Sequence, residues 1–355
     1  MYCAHVVGAR PNFMKAAPVM RALAPKPGLR QVLVHTGQHY DQNMSDVFFR
    51  ELEIPEPDFN LAVGSGSHAV QTGQMMMRFE PVIKKDRPDL VLVYGDVNST
   101  IAAALVCTKL GIPVAHVEAG LRSFDRSMPE EINRLLTDQI ANLLFTPSED
   151  GDQNLLREGI PAERIHFVGN VMIDTLVRLL PKAAASLPEV LPPRYALVTL
   201  HRPSNVDEPQ MLQGFLHVLG EISHELPVIF PIHPRTAQRI AQLGFHPGES
   251  FLFWGPQSYL QFLALQQKAT VVITDSGGIQ EETTFLGIPC LTLRDSTERP
   301  VTATVGTNLL VGRDLKRLQA EVRALLCGRR KQGKIPPLWD GQAAQRIADI
   351  ICKRG

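Results

Sequence analysis

Short apolar runs alternate with helical stretches along the chain, and that alternation leaves few folds open. Ala4–Val7, Gln31–Thr36, Leu90–Tyr94, Val114–Val117 and Leu143–Thr146 are the expected strands of the first half. Ala196–Leu200, Val228–Ile232, Phe251–Trp254, Val271–Thr274 and Cys290–Leu293 repeat the theme in the second. These runs are apolar on both faces, which suits parallel strands covered by helices on either side. The expected fold class is α/β, with two Rossmann-like, doubly wound parallel-sheet domains. Facing one another, such domains set the loops at the carboxyl ends of both sheets along one central cleft, where open α/β sheets bind ligands.

The join is expected in Val171–Arg194, where one helix (Val171–Leu180) is followed by Pro181, Pro188, Pro192 and Pro193. No helix or central strand tolerates that set together. The expected domains are 1–170 and 171–355, with the last helix, Gln342–Cys352, able to pack back on the first. Gly328–Pro337, with Arg329, Arg330, Lys331 and Lys334, reads as a solvated linker.

Charge is balanced, 36 basic against 36 acidic residues, which argues against a broad footprint for nucleic acid or acidic membrane. Cys3, Cys107, Cys290, Cys327 and Cys352 are scattered, without a CxxC pair or histidines at metal spacing, so no metal is expected. The amino terminus lacks a basic stretch followed by an apolar run, and no apolar stretch approaches ~18 residues. A cytoplasmic protein is expected.

The loop richest in chemistry is Thr274-Asp275-Ser276-Gly277-Gly278-Ile279-Gln280-Glu281-Glu282, between an apolar strand and a helical segment over Gly278–Leu286. Glycines let backbone approach a ligand, and a helix start offers free N–H groups and partial positive charge, which suits phosphate. Glu282, one turn in, falls where a nucleotide ribose would sit. In the first loop, Gly8–Lys15, both Arg10 and Lys15 are placed to neutralise a diphosphate. Asp96 and Glu118 each end a strand, and adjacent carboxylates at a sheet's carboxyl edge suit opposed acid and base roles. For Asp96 alone, helix capping before Asn98-Ser99-Thr100 is a plainer account.

Glu130 and Glu131 begin a helix whose expected buried face is Ile132, Leu135, Leu136, Ile140 and Leu143. Glu130 and Arg134, four apart, read as a surface ion pair worth about 0.3–0.5 kcal/mol. His201, with Arg202 after it, and His233 end strands, where a histidine can bind phosphate or move a proton. A GxSxG elbow, HExxH and the P-loop lysine motif are absent from the sequence. Gly64-Ser65-Gly66-Ser67-His68-Ala69 is a weak dinucleotide match without the acid that such a site requires.

Taken in order, these motifs resemble the non-hydrolysing UDP-N-acetylglucosamine 2-epimerases. The resemblance runs from Gly8–Lys15 through Thr36-Gly37-Gln38-His39, Gly95-Asp96, His116–Arg122, Pro129–Arg134, His201-Arg202 and Asp275–Glu282 to Thr297-Glu298-Arg299-Pro300. It implies a GT-B-like fold and cofactor-free interconversion of UDP-GlcNAc and UDP-ManNAc, supplying precursors of cell-surface polysaccharide. UDP leaves C1 as the C2 proton is removed, giving 2-acetamidoglucal, and then adds back. The resemblance assigns Asp96, Glu118, Glu130 and His201 to proton transfer and charge, with Lys15 in support. It assigns Arg10, Ser276, Gly277 and Gly278 to the diphosphate, Glu282 to ribose, Gln257 and Phe262 to uracil, and Arg299 to a further substrate contact. It also implies a homodimer, with no nucleic-acid or membrane partner.

Members of this family can bind a second, activating UDP-GlcNAc at residues matching Gln38, His39, Arg202 and His233. Asp41 and Pro203 depart from that pattern, as does Gly95-Asp96-Val97-Asn98 from a common Gly-Asp-Thr. The departures argue against activation and leave open a modified UDP-HexNAc, such as a 2,3-diacetamido uronic acid, as the substrate. A hydrolysing 2-epimerase and a GT-B glycosyltransferase are also compatible with these residues.

Overall fold

The computed structural model describes residues 1–38, 51–188 and 190–353. Among them the chain divides into two compact units, Met1–Arg178 with Pro337–Gly355, and Leu179–Pro336. The division thus falls after Arg178, and the last segment belongs to the first unit.

The first unit is built on a parallel sheet of β1 (Tyr2–Val7), β2 (Arg30–His35), β3 (Phe59–Asn60), β4 (Leu90–Tyr94), β5 (Val114–Val117), β6 (Leu143–Thr146) and β7 (Ile165–Phe167). The strand order is β3-β2-β1-β4-β5-β6-β7. Its helices are α1 (Arg10–Leu23), α2 (His68–Lys85), α3 (Asn98–Lys109), α4 (Pro129–Ile140), α5 (Glu149–Arg157) and α6 (Val171–Ala184). Val32, Val34, Val91 and Val93 on one sheet face pack with Met75 and Phe79 of α2 and Ala102–Ala104 of α3.

The second unit has the parallel order β10-β9-β8-β11-β12-β13. These strands are β8 (Ala196–Thr199), β9 (Val228–Pro231), β10 (Phe251–Trp254), β11 (Val271–Thr274), β12 (Cys290–Thr292) and β13 (Asn308–Leu310). Its helices are α7 (Pro203–Val206), α8 (Pro209–Ser223), α9 (Pro234–Gln242), α10 (Tyr259–Lys268), α11 (Gly277–Leu286), α12 (Pro300–Thr304) and α13 (Leu315–Leu326). The final helix, α14 (Ala343–Cys352), follows the return to the first unit. Apolar clusters cover both faces of the second sheet, around Val198, Phe230 and Ile273 on one and Leu197, Ile229 and Val272 on the other.

In each sheet the order reverses beside the first strand, between β1 and β4 in one and β8 and β11 in the other. Crossovers leave to opposite faces there, so the loops after those strands part and open a crevice. The loops concerned are those carrying Gly8–Lys15, Asp96, His201 and Asp275–Gly278.

Two expectations about local structure are corrected. Helix α6 runs through Pro181 instead of stopping before it. Proline loses only its own amide bond near a helix end, where few later turns depend on it. Helix α4 is turned over: it buries Glu131, Asn133, Arg134, Thr137 and Asp138 and exposes Ile132 and Leu136. Leu143 belongs to β6 and not to this helix. The helix packs beside the loops that carry Asp96 and Glu118, so ion pairing decides its inner face.

Candidate active site

On the first unit the site grows from the ends of β4 and β5. Gly95 follows β4 at φ +63°, and an added Cβ would meet Lys15 Nζ at 2.7 Å, so this turn needs glycine. Asp96 comes next and does not cap α3, whose N-cap is Val97. Its carboxylate instead pairs with the Arg134 guanidinium. Arg134 also donates to Glu131, at 2.7 Å. The buried partner of Arg134 is therefore Glu131, three residues away, where the sequence suggested Glu130.

Glu118 ends β5 in a left-handed conformation, φ +73°. A non-glycine residue there stores strain, a pattern that clusters at working sites. Its Oε1 accepts a 2.6 Å charge-assisted bond from Lys15 Nζ, both side chains being buried. The turn of α1 that brings Lys15 inward is fixed by Asn12. Its Oδ1 accepts from the amides of Gly8 and Ala9, and its Nδ2 donates to the Tyr94 carbonyl at 2.7 Å. The structure thus brings Lys15, Asp96 and Glu118 to one sheet edge. Glu130 is half-buried in the first turn of α4, and Arg10 is exposed at the first residue of α1.

Burial alone would raise the Glu131 carboxyl. The Ser123 amide, the bonds and charge of Arg134 and the Phe124 amide outweigh it and hold the group below the ordinary carboxylate range. Glu131 thereby fixes both Arg134 and the loop Ser123–Phe124.

On the second unit Asp275 is the organising residue. It is fully buried, and its Oδ2 accepts from the Arg202 amide at 2.9 Å and from Asn205 Nδ2 at 3.0 Å. Its Oδ1 lies 2.8 Å from Nδ1 of the exposed His201 ring. Burial pushes the Asp275 carboxyl up, but His201, the Arg202 amide and Asn205 outweigh it and bring it below its ordinary value. Ser276 then caps α11 without using its side chain for the cap.

The two glycines that follow differ. A Cβ on Gly277 would lie 2.4 Å from Arg299 Nη1 and 2.6 Å from Glu298 Oε1, whereas Gly278 has open space. Arg299 itself is gripped between Glu298 and Glu281, the latter at 2.9 Å from Nε. Glu282 is buried, and its Oε1 accepts from the Tyr259 hydroxyl at 2.9 Å. The Gln257 amide donates to the Gly255 carbonyl at 2.9 Å, and Phe262 packs against the apolar cluster around Tyr195 and Leu197.

Of the residues matched to an effector site, Gln38 is buried and accepts from Ser99 Oγ at 2.7 Å. His39 lies outside the described residues, as does Asp41. Arg202 Nε–H donates to the Asp275 carbonyl at 3.2 Å, and His233 is exposed beyond the end of β9. Among the described residues, no group of three or more His, Cys, Asp or Glu side chains is arranged to hold a metal. Nor is any helix among them long and apolar enough to cross a membrane.

Sequence reasoning gave no site role to Arg134, Asp275, Glu131, Tyr259 or Asp138. A signal was present on α4, since 131, 134 and 138 recur at helical spacing and so share one face.

Fold and site define a class: a two-unit, GT-B-like α/β protein with carboxylates at one sheet edge and a glycine-started helix at the other. A family model described as UDP-N-acetylglucosamine 2-epimerase matches residues 21–352. A Methanocaldococcus jannaschii protein named UDP-N-acetylglucosamine 2-epimerase is 43% identical, over 98% of this chain and 97% of that one. A Pseudomonas aeruginosa protein named UDP-2,3-diacetamido-2,3-dideoxy-D-glucuronate 2-epimerase is also 43% identical, over 98% of each chain. The crystal structure of the M. jannaschii UDP-GlcNAc 2-epimerase with UDP-GlcNAc and UDP superposes with a TM-score of 0.89. It is 41% identical and covers 99% of this chain and 100% of that one. The chain belongs to the UDP-N-acetylglucosamine 2-epimerase family.

Proposed function

We propose that this chain interconverts UDP-GlcNAc and UDP-ManNAc by anti elimination and re-addition of UDP. A base takes the C2 proton as the C1–O bond to UDP breaks, and the electron pair becomes the C1=C2 double bond of 2-acetamidoglucal. UDP then returns to C1 while an acid delivers a proton to the opposite face of C2. The cycle is redox-neutral and asks for proton-transfer groups and a diphosphate site, with no external cofactor.

The observation that carries this reading is the pairing of Glu118 with Lys15 and of Asp96 with Arg134, on neighbouring strand ends. Two carboxylates with separate cations suit opposed proton transfers. Glu130 and His201 complete the set, with Asp275 engaging Nδ1 of His201 so that Nε2 is presented for reaction. Ser276, Gly277 and Gly278 at the start of α11, with Arg10 and Arg299, serve the departing diphosphate. Glu282, oriented by Tyr259, takes the ribose, and Gln257 with Phe262 the uracil. Gln38, His39, Arg202 and His233 match the family's effector residues, and the departures at Asp41 and Pro203 argue against activation through them here.

The test is proton NMR with UDP-GlcNAc in deuterated water, without added metal or NAD. Deuterium entering C2 as UDP-ManNAc accumulates is the expected result. Retention of the C2 hydrogen with no new sugar would refute it. The similarity to the P. aeruginosa protein favours one second reading, a 2,3-diacetamido uronic acid as the natural sugar. Under that reading the uronate analogue, run in parallel, exchanges faster. The proposal includes a homodimer acting in the cytoplasm on polysaccharide precursors.

A further inference from the structure

Behind the two acid-bearing turns lies a buried polar group that the reaction scheme does not use. His116, in β5, and Asp138, in α4, are both fully buried. His116 Nδ1 lies 2.6 Å from Asp138 Oδ1, and Nε2 lies 2.8 Å from the carbonyl oxygen of Gly95. A carbonyl can only accept, so Nε2 carries a proton. Asp138 Oδ2 already accepts from the Gly120 amide at 3.1 Å and faces Arg122 Nη1 at 2.7 Å. A carboxylate so occupied accepts from Nδ1 as well. Arg122 is in turn held by Glu158 at 2.7 Å.

We propose that His116 and Asp138 are a positioning pair that fixes the turns carrying Asp96 and Glu118, with the His116 ring donating from Nε2 to the Gly95 carbonyl and from Nδ1 to Asp138. One arm pins the Gly95 carbonyl immediately before Asp96. The other, through Asp138, pins the Gly120 amide two residues after Glu118. Both turns pass through left-handed glycines, Gly95 at φ +63° and Gly120 at φ +81°. The Asp138 carboxyl agrees with its role as acceptor: burial would raise it, but His116 and Arg122 outweigh burial and hold it below the ordinary range. The role in turnover rests on the epimerase reading; the proton assignment does not.

The experiment is nitrogen-15 NMR of the histidine-labelled full-length chain, with steady-state kinetics on the same preparations. In the natural protein both His116 nitrogens should be seen to donate, Nε2 to the Gly95 carbonyl and Nδ1 to Asp138. Asp138→Asn, close to isosteric, removes the carboxylate that Nδ1 donates to, so Nδ1 should become a bare nitrogen that accepts from the new amide. The substitution should also lower kcat about tenfold with KM and UDP affinity unchanged. His116→Phe should lower kcat about 100-fold at similar KM. If His116→Phe does not fold, the Asp138→Asn pair of readouts carries the decision. A bare nitrogen in the natural protein, or unchanged kcat in a folded variant, overturns the proposal. Should the natural protein turn over no UDP-sugar while both nitrogens stay protonated, the substrate reading falls and the proton assignment stands.

Discussion

Gly277 and Gly278 are neighbours of one type with opposite surroundings. The Cβ of an alanine at 277 would press into Arg299 and Glu298, while at 278 it would enter open space. Gly277→Ala should therefore displace Arg299, weaken UDP binding about tenfold or more and lower the melting temperature. Gly278→Ala should fold normally, because its substituent meets no protein atom. Calorimetric UDP titration beside thermal melts checks both, and equal melting temperatures for the two variants would refute the packing argument. Neither difference was legible in the sequence, which shows two adjacent glycines and no trace of what stands over each. The same holds for Asp275. It could be read as part of a phosphate loop, but its bonds to the His201 and Arg202 amides join segments some 70 residues apart. Asp96 and Glu118 stand out in the sequence for the opposite reason: taken together, two carboxylates that end apolar strands have no packing role to explain them.

At the scale of elements, apolar runs identified most strands, and what escaped were β3, β7 and β13, only two or three residues long. Such edge strands carry too few residues for a period to show. Helix α4 misled because apolar and polar stripes both recur at helical spacing, and only the neighbouring loops decide which faces inward. Helix α6 carries a further consequence. Its Asp174 accepts the amides of Ala343 and Ala344, capping α14 from the side. Burial outweighs those bonds and pushes its carboxyl up to about 6. Below about pH 4 the group is protonated in both folded and unfolded chains, and between about 4 and 6 only the folded chain keeps the proton. Stability from this group is therefore greatest in acid and is lost as pH rises through about 6, by an amount on the order of 3 kcal/mol. Asp174→Asn should remove that component. Urea midpoints from about pH 4 to about pH 7.5 would show it as a difference in slope between the two proteins. Parallel curves would contradict the assignment.

At the scale of the whole molecule, the chain leaves the first unit after Arg178 and re-enters it at Pro337. The return is bonded as well as packed. Trp339 Nε1–H donates to the Pro147 carbonyl at 2.8 Å, and Arg346 reaches the Val168 carbonyl at 3.0 Å. Trp339, Ile347 and Ile351 are buried there, and Lys26 of the region after α1 pairs with Asp349 at 2.7 Å. At ~1.5–3 kcal/mol per large apolar side chain, those three residues alone account for roughly 5–9 kcal/mol. A domain's whole stability is about 5–15 kcal/mol, so the segment decides whether the first unit folds. A chain ending at Pro336 should therefore lose amide-exchange protection throughout Met1–Arg178, including the strands that bear Asp96 and Glu118. Leu179–Pro336 supplies its own clusters on both sheet faces and should keep its protection, and it should still bind UDP, though more weakly without Arg10 in place. Hydrogen exchange read by mass spectrometry separates the two units. Retained protection in the first after truncation would show that α14 merely covers a unit already stable without it.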